Sequence, residues 1–203
     1  MHRIQQSLLR YALMLLATGL VATTTPIAAE AAASAAAPPA PTRATYSDDE
    51  VTQAANDFFK NGAQDLGKVL QKVLKEKGQP TAIIRGEEAG GAIGVGLRYG
   101  HGELIYKGGV GRKVYWQGPS LGFDVGANAA KVFALVYDLP DSAHLFRRFP
   151  GVEGSLYFVG GFGVNYVQNA GSVIAPVRFG VGWRQGVAVG YMHFSPQKRI
   201  NPF

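Results

Sequence analysis

From Thr81 onward the sequence is written in short runs rich in Val, Ile, Phe and Tyr, punctuated by glycine: "TAIIRGEE", "GAIGVGLRYG", "GELIYKGG", "RKVYWQG", "SLGFDVG", "KVFALVYDL", "GSLYFVGGFGVNYVQ", "SVIAPVRFGVGWRQ" and "GVAVGYMHFS". Regular strands separated by tight turns imply a meandering, mostly antiparallel sheet. The clear interruption is "PDSAHLFRRFPG", where Asp141 is placed to cap a short helix around Ala143 to Phe149. About eight strands and a single long helical signal favour a mainly β fold, a small antiparallel β-barrel, over a doubly wound sheet.

The glycines sharpen that reading. All but Gly19 of the 27 follow the N-terminal segment, and "GAIGVG", "GGFGVN" and "RFGVGW" set glycines two apart, on one face of a pleat. Gly161 and Gly163 are such a pair. Glycines so placed permit strong coiling, corners, or close approach by another backbone or helix. A phosphate cradle is the rival explanation and fails on spacing. Gly91, Gly94, Gly96 and Gly100 miss G-x-G-x-x-G and lead into a strand rather than a helix, and "GGVGRKV" misses the Walker pattern.

The N-terminus points to export. Arg3 and Arg10 precede an apolar run from Tyr11 to Val21, followed by small residues that suit a signal peptidase. The run is shorter than the about 20 apolar residues a spanning helix needs. Residues 1–29 are therefore read as a signal peptide, 30–45 as an Ala/Pro-rich flexible linker, and 46–203 as a single barrel domain. With no cysteine in the chain, the core must hold without disulfides, although an exported location would permit them. The full chain carries a formal charge of +6. Removing Arg3, Arg10, Arg43 and Glu30 leaves a smaller positive excess, which suits anionic lipid or glycan. Basic and aromatic residues do not interleave as they do in single-strand binders, so nucleic acid is not an expected partner.

The long helical signal is "YSDDEVTQAANDFFKNGAQDLGKVLQKVLKEKGQP". Ser47 and Glu50 have capping-box spacing. Val51, Ala54, Ala55, Phe58 and Phe59, then Leu66, Val69, Leu70, Val73 and Leu74, form an apolar stripe fit to pack on the barrel. Gly62 is placed to split the helix, and Gly78 with Pro80 to end it. Lys68, Lys72 and Lys75 share the opposite, solvated face.

Catalytic motifs are sparse. Gly118-Pro119-Ser120-Leu121-Gly122 spells G-x-S-x-G, but a nucleophile elbow needs strand, turn and helix, whereas Leu121, Phe123 and Val125 alternate as a strand. Pro119 marks a turn after Gln117 and Gly118. Asp138 or Asp141 with His144 or His193 would give the right triad order without the parallel framework. His101, His144 and His193 lack metal-ligand spacing, and Glu87 and Glu88 point to opposite faces of a strand. Asp124, alone among apolar neighbours, reads as a hydrogen-bonded structural acid. No catalytic residue, cofactor or metal is expected, and a serine hydrolase acting on envelope components is kept only as an alternative.

Several blocks together resemble the envelope-integrity protein A family of Gram-negative bacteria: the helical stretch above, "GLRYGHGELIYKGG", "KVYWQGPSLGFDVGANAAKVFALVYDLPD", "RFPGVEGSLYFVGGFGVNY" and "GYMHFS". The resemblance runs from Tyr46 to about Ser195. It implies a soluble periplasmic small β-barrel that supports cell-envelope integrity, and it brings no catalytic residues. A shorter likeness links "GGFGVNY" and "RFGVGW" to the glycine-rich sheets of a class of lipid-binding domains. It agrees with the aromatic residues Tyr115, Trp116, Phe123, Phe158 and Phe162, read here as the lining of an apolar ligand cavity. The expected partner is thus an envelope lipid, glycan or protein. The alternative of an outer-membrane barrel meets "SPQKRINPF", where Pro196, Lys198, Arg199 and Pro202 stand in place of an alternating final strand.

Overall fold

The computed structural model describes residues 43–60, 64–180 and 190–199, and for 64, 91–95, 120–129 and 180 the backbone alone. The expected signal peptide and Gly62 lie outside the described residues, as does almost all of the linker. The element order is α1 (Asp48–Phe59), α2 (Gln64–Lys77), β1 (Ala82–Tyr106), β2 (Arg112–Tyr137), α3 (Ser142–Leu145), β3 (Arg148–Pro150), β4 (Tyr157–Val159), β5 (Phe162–Val164), β6 (Val167–Asn169), β7 (Ser172–Gly180) and β8 (Tyr191–Ser195). The strands form one eight-stranded sheet, every pairing in it antiparallel.

Both helices form as their residues require. The Ser47 side chain accepts from the Glu50 amide and the Glu50 carboxylate accepts from the Ser47 amide, a complete capping box. The Lys107 ammonium also grips Glu50, fastening the start of α1 to the end of β1. Gly78 closes α2 at φ +76°, its amide reaching back to the Leu74 carbonyl at 2.8 Å, a conformation glycine adopts without steric cost. Val51, Ala55, Phe59, Leu66, Val69, Leu70 and Val73 are buried against Ile83, Phe133, Leu135, Phe162, Val164 and Val177. On the outer face Lys68 pairs with Asp65 and Lys72 with Glu76. These are surface pairs that contribute little to stability.

The strand boundaries differ from the sequence reading in an informative way. The runs "TAIIRGEE", "GAIGVGLRYG" and "GELIY" are one strand of 25 residues, β1, and "RKVYWQG", "SLGFDVG" and "KVFALVY" are one of 26, β2. Their glycines do not end strands; they sit inside them. Pro119 likewise stands within β2, opposite Leu97, and makes no turn. A proline holds its predecessor extended, which suits a strand as well as a turn. The short helix α3 is capped by Asp141 as expected but stops at Leu145, because Phe149 is committed to β3 and lies buried opposite Met192 of β8.

A straight strand of 25 residues would reach roughly 80 Å, whereas a domain of this size has a radius of gyration of about 15 Å. The β1–β2 hairpin must therefore curl. It runs in one register from Ala82↔Val136 to Gly90↔Asn128, shifts between Gly90 and Ala92, and resumes from Ala92↔Asp124 to Leu104↔Arg112. The bulge adds local twist and bend. The two ends of β1 then meet: the Lys107 amide donates to the Thr81 carbonyl at 3.2 Å, and Gly86 crosses Gly102 so closely that a Cβ on either would stand within 2.9 Å of the other's Cα. The far edge of β2 is shared, Tyr115–Gln117 pairing with β8 and Ala130–Tyr137 with β7.

Curling gives the sheet an outer face under the helices and an inner face of its own. Ala82, Ile84, Leu104, Val114, Trp116, Val132, Ala134, Val136, Phe149, Ile174, Met192 and Phe194 fill the inside. The run "VFALVY" is apolar at every position because both of its faces are buried. Gly161 and Gly163 do not share a strand face: Gly160 and Gly161, at φ +57° and +84°, make the β4–β5 turn, while Gly163 alternates with the helix-facing Phe162 and Val164 and so faces the interior. Gly160 abuts the helices, at Asp65 of α2.

Glycine at the crossing is a steric requirement, so Gly102→Ala, whose methyl would overlap the Arg85 carbonyl, should destabilise by about 1–3 kcal/mol or more. Gly67→Ala is the control. Its Cβ meets nothing within 4 Å in α2, and it should stabilise by up to ~1 kcal/mol. Thermal and denaturant unfolding of the two proteins measures both; equal effects would contradict the crossing.

Candidate functional site

The least expected feature of the interior is charge. Along β1, Ala82, Ile84, Gly86 and Glu88 share the inward phase, so Glu88 is buried while Glu87 is exposed. The same alternation turns Arg98 inward with Gly100, Gly102 and Leu104, and Arg178 inward on β7. Glu88 is 6% exposed, Arg98 4% and Arg178 0%.

Arg178 reaches Glu88 across the intervening β2, passing two strand spacings, roughly 10 Å. Ala130, the partner of Glu88 on β2, is small enough to leave that path open. Arg178 Nε donates to Glu88 Oε1 at 3.0 Å, Nη1 to Asn165 Oδ1 at 2.8 Å and Nη2 to Met192 Sδ at 3.3 Å. From the other end of the hairpin, Trp116 Nε1 donates to Glu88 Oε2 at 2.8 Å. The indole lies flat on Gly100, where a Cβ would overlap its ring, and its edge passes Gly86. One carboxylate thus ties β1, β2 and β7 together through the interior.

Burial by itself would raise the Glu88 carboxyl pKa. The Arg178 and Arg98 guanidiniums, with hydrogen bonds from Trp116 and Arg178, outweigh it and hold the group below the usual carboxylate range. Burial pushes Arg98 down to about 10, with Glu88 opposing the shift and Arg178 adding to it, so Arg98 is charged at neutral pH. Arg178 and Arg98 therefore both act on the Glu88 carboxylate. Arg178 is well bonded, whereas Arg98 makes no hydrogen bond among the described residues and its Nε is sealed from solvent without a partner.

A cleft of about 340 Å³ shares Trp116 with this cluster and is lined by Tyr99, Gly100 and His101 of β1, Tyr115, Trp116 and Gln117 of β2, Ser195 of β8, and Lys198 and Arg199 just after it. Aromatic walls and two cationic side chains meet here, and the described lining holds no carboxylate. A second cleft, about 380 Å³, shares His101 and Tyr115 but mixes Arg85 and Lys113 with Glu87 and Glu103. Among the described residues, no group of three or more His, Asp or Glu side chains is placed to hold a metal.

The five aromatic residues read from the sequence as a cavity lining are not brought together. Tyr115 and Trp116 both line the first cleft, Trp116 from inside with 2% of its surface exposed. Phe162 belongs to the helix-covered core, edge-on to Phe59 at 5.3 Å and stacked on Phe179 at 4.5 Å. Phe158, on the outermost strand β4, is 46% exposed. Phe123 has its backbone opposite Ile93, and its side chain lies outside the described residues, as do those of Ser120 and Asp124. Ser120 itself is a strand residue of β2, paired with Gly96. Sequence reading missed Glu88, Arg98 and Arg178. The available signal was phase, since each stands where its strand's alternation calls for an inward, apolar side chain.

An all-antiparallel sheet curled around a charged interior, with helices on its outer face, defines a small barrel-like β protein. The sequence profile of envelope integrity protein A matches residues 44–203. The chain belongs to the envelope integrity protein A family, and that membership indicates a role in the integrity of the cell envelope. Among solved structures, a beta-barrel-like protein from Brucella abortus aligns with a TM-score of 0.69 and 39% identity, over 78% of this chain and 99% of that one. A search of curated proteins finds no match.

Removing the carboxylate while keeping its shape takes away the anion on which both buried guanidiniums, Arg178 and Arg98, act. Glu88→Gln should cost about 3–5 kcal/mol at neutral pH. Because the folded pKa of Glu88 is depressed, its contribution is complete above the ordinary carboxylate value of about 4.5 and fades as the pH falls through the folded value. The stability gap between parent and Glu88→Gln should accordingly narrow in acid, read from urea unfolding at a series of pH values. A gap that is constant with pH would contradict the assignment.

Proposed function

We propose that the protein serves envelope integrity as a soluble, non-enzymatic periplasmic binding protein, and that it holds an anionic lipid or glycan of the envelope in the cleft between Tyr99, Tyr115 and Lys198. The observation that carries this reading is the composition of that cleft: aromatic surface beside Lys198 and Arg199, with no carboxylate in the described lining. A cationic, partly apolar recess attracts amphiphilic anions and repels cations. The export signal read in residues 1–29 supports the location. The helices α1 and α2 support a soluble barrel, because they cover a sheet face that a membrane barrel would turn to lipid. The extended backbone at Ser120, inside a strand that continues to Tyr137, supports binding over hydrolysis, since the elbow geometry is not built there.

Two measurements test the proposal. Osmotic shock of the native cells should release the protein, monodisperse without detergent; recovery only from detergent-treated outer membrane would overturn the location. Tyr115→Ala combined with Lys198→Ala and Arg199→Ala should fold, the two exposed cations costing within about 0.5 kcal/mol each and the half-buried Tyr115 about 1 kcal/mol, yet fail to restore detergent resistance to cells lacking the parent gene. Full restoration by the folded triple variant would overturn the role of the cleft.

A further inference from the structure

We infer that the two clefts are one groove, and that its occupant is a short acidic oligosaccharide lying along the outer face of the β1–β2 hairpin rather than a lipid. The inference rests on the first cleft being a ligand site and names the class of ligand it takes.

Register is the first argument. Tyr99↔Gln117, His101↔Tyr115 and Glu103↔Lys113 are successive outward pairs of the hairpin, on the face opposite the inward Trp116 and Val114. The first two pairs line the first cleft and the last two line the second, so the recesses meet at His101 and Tyr115. From Tyr99 to Glu103 the three pairs span roughly 14 Å at the rise of an antiparallel strand. That is the reach of a few linked sugars and not of a single one.

The walls are the second. The apolar surface that the clefts offer is aromatic, chiefly Tyr99, Tyr115 and Phe58. Val114 is the one aliphatic side chain in the described lining, and it is 0% exposed. An acyl chain laid here would bring its methylenes against Gln117, Glu103 and Lys113 and strip those groups of water with no hydrogen bond in return, which is unfavourable. A sugar turns a C–H face to the rings and hydroxyls to the polar groups, and tyrosine, apolar in body and polar at its tip, suits both.

Charge is the third. Lys198 and Arg199 stand in the first cleft with no carboxylate in its described lining, whereas Arg85 and Lys113 stand with Glu87 and Glu103 in the second. The ion pairs among the described residues lie elsewhere, so these four side chains are available to hydroxyl groups. An acidic group is matched at the first end, and another at the far end would meet Glu87 and Glu103. The ligand so selected carries its acid at one end and neutral, hydroxyl-bearing sugars at the other.

The test is calorimetric titration of the full chain with a trisaccharide carrying one terminal uronic acid, with the same trisaccharide reduced at its carboxyl group, and with laurate and short-chain phosphatidylglycerol. The acidic trisaccharide should bind one per chain and its reduced form roughly tenfold more weakly, the loss expected for a charge-assisted hydrogen bond. In Lys198→Ala combined with Arg199→Ala the two sugars should bind alike. Glu103→Gln combined with Lys113→Ala, both at exposed positions, should weaken the two sugars by the same factor. Binding of either amphiphile as tight as that of the acidic sugar, or tighter, overturns the oligosaccharide and leaves the cleft as a lipid site. Sugar binding that responds to the loss of Lys198 and Arg199 but not of Glu103 and Lys113 overturns the joined groove and leaves the first cleft intact. Silence from every probe overturns the inference; the cleft reading then stands or falls on complementation by the triple variant.

Discussion

The carboxylate of Glu88 is the point on which the two ends of a long, curled hairpin converge. Arg178 approaches it from β7, across the C-terminal half of β2, and Trp116 approaches it from the N-terminal half of the same strand. Apolar packing alone would favour many curvatures of such a hairpin, because it is non-directional. Directional bonds to a single buried group select one. The choice has a cost, since buried ion pairs recover their desolvation only with good geometry, and well-packed apolar replacements often equal or exceed them in stability. Retaining three charged side chains in the interior is therefore better explained by what they specify than by how strongly they hold.

Curvature itself depends on the absence of side chains at a few places. Gly86 and Gly102 let β1 cross its own far end, and Gly100 leaves a flat bed for the indole of Trp116. The same indole lines the cleft on one side and donates to Glu88 on the other. The crossing, the ion cluster and the cleft are for that reason one construction. Moving the Gly86–Gly102 contact apart would displace Trp116, and with it both the Glu88 hydrogen bond and the inner wall of the recess.

Much of this architecture was legible in the residues. Ser47 with Glu50, the stripe from Val51 to Leu74 and the cap at Asp141 rest on local rules that tertiary context did not override. Mainly antiparallel β structure and family membership also came from the sequence. The strand count per run did not, because glycine inside a strongly bent strand and glycine in a turn look alike when strands are read one at a time; the difference is set by the pairing of Gly90 with Asn128 and Gly94 with Gly122, which is non-local. The site was half legible. Tyr115 and Trp116 stand out as aromatic residues on strands, but Phe162 was indistinguishable from them until α1 was seen to cover it. Glu88, Arg98 and Arg178 read as solvent-facing charges unless their phase against Ala82, Leu104 and Ile174 is compared, and that comparison needs the strands to be continuous.

The central claim is that the cleft lined by Tyr99, Tyr115, Trp116, Lys198 and Arg199 takes up an anionic component of the envelope. Native mass spectrometry of the protein isolated without detergent from its own cells tests this most directly. The account predicts a single bound species per chain, which dissociates on activation in the gas phase and leaves as an anion. A population carrying only the mass of the polypeptide, unchanged when the same cells are extracted under the mildest conditions, would contradict it.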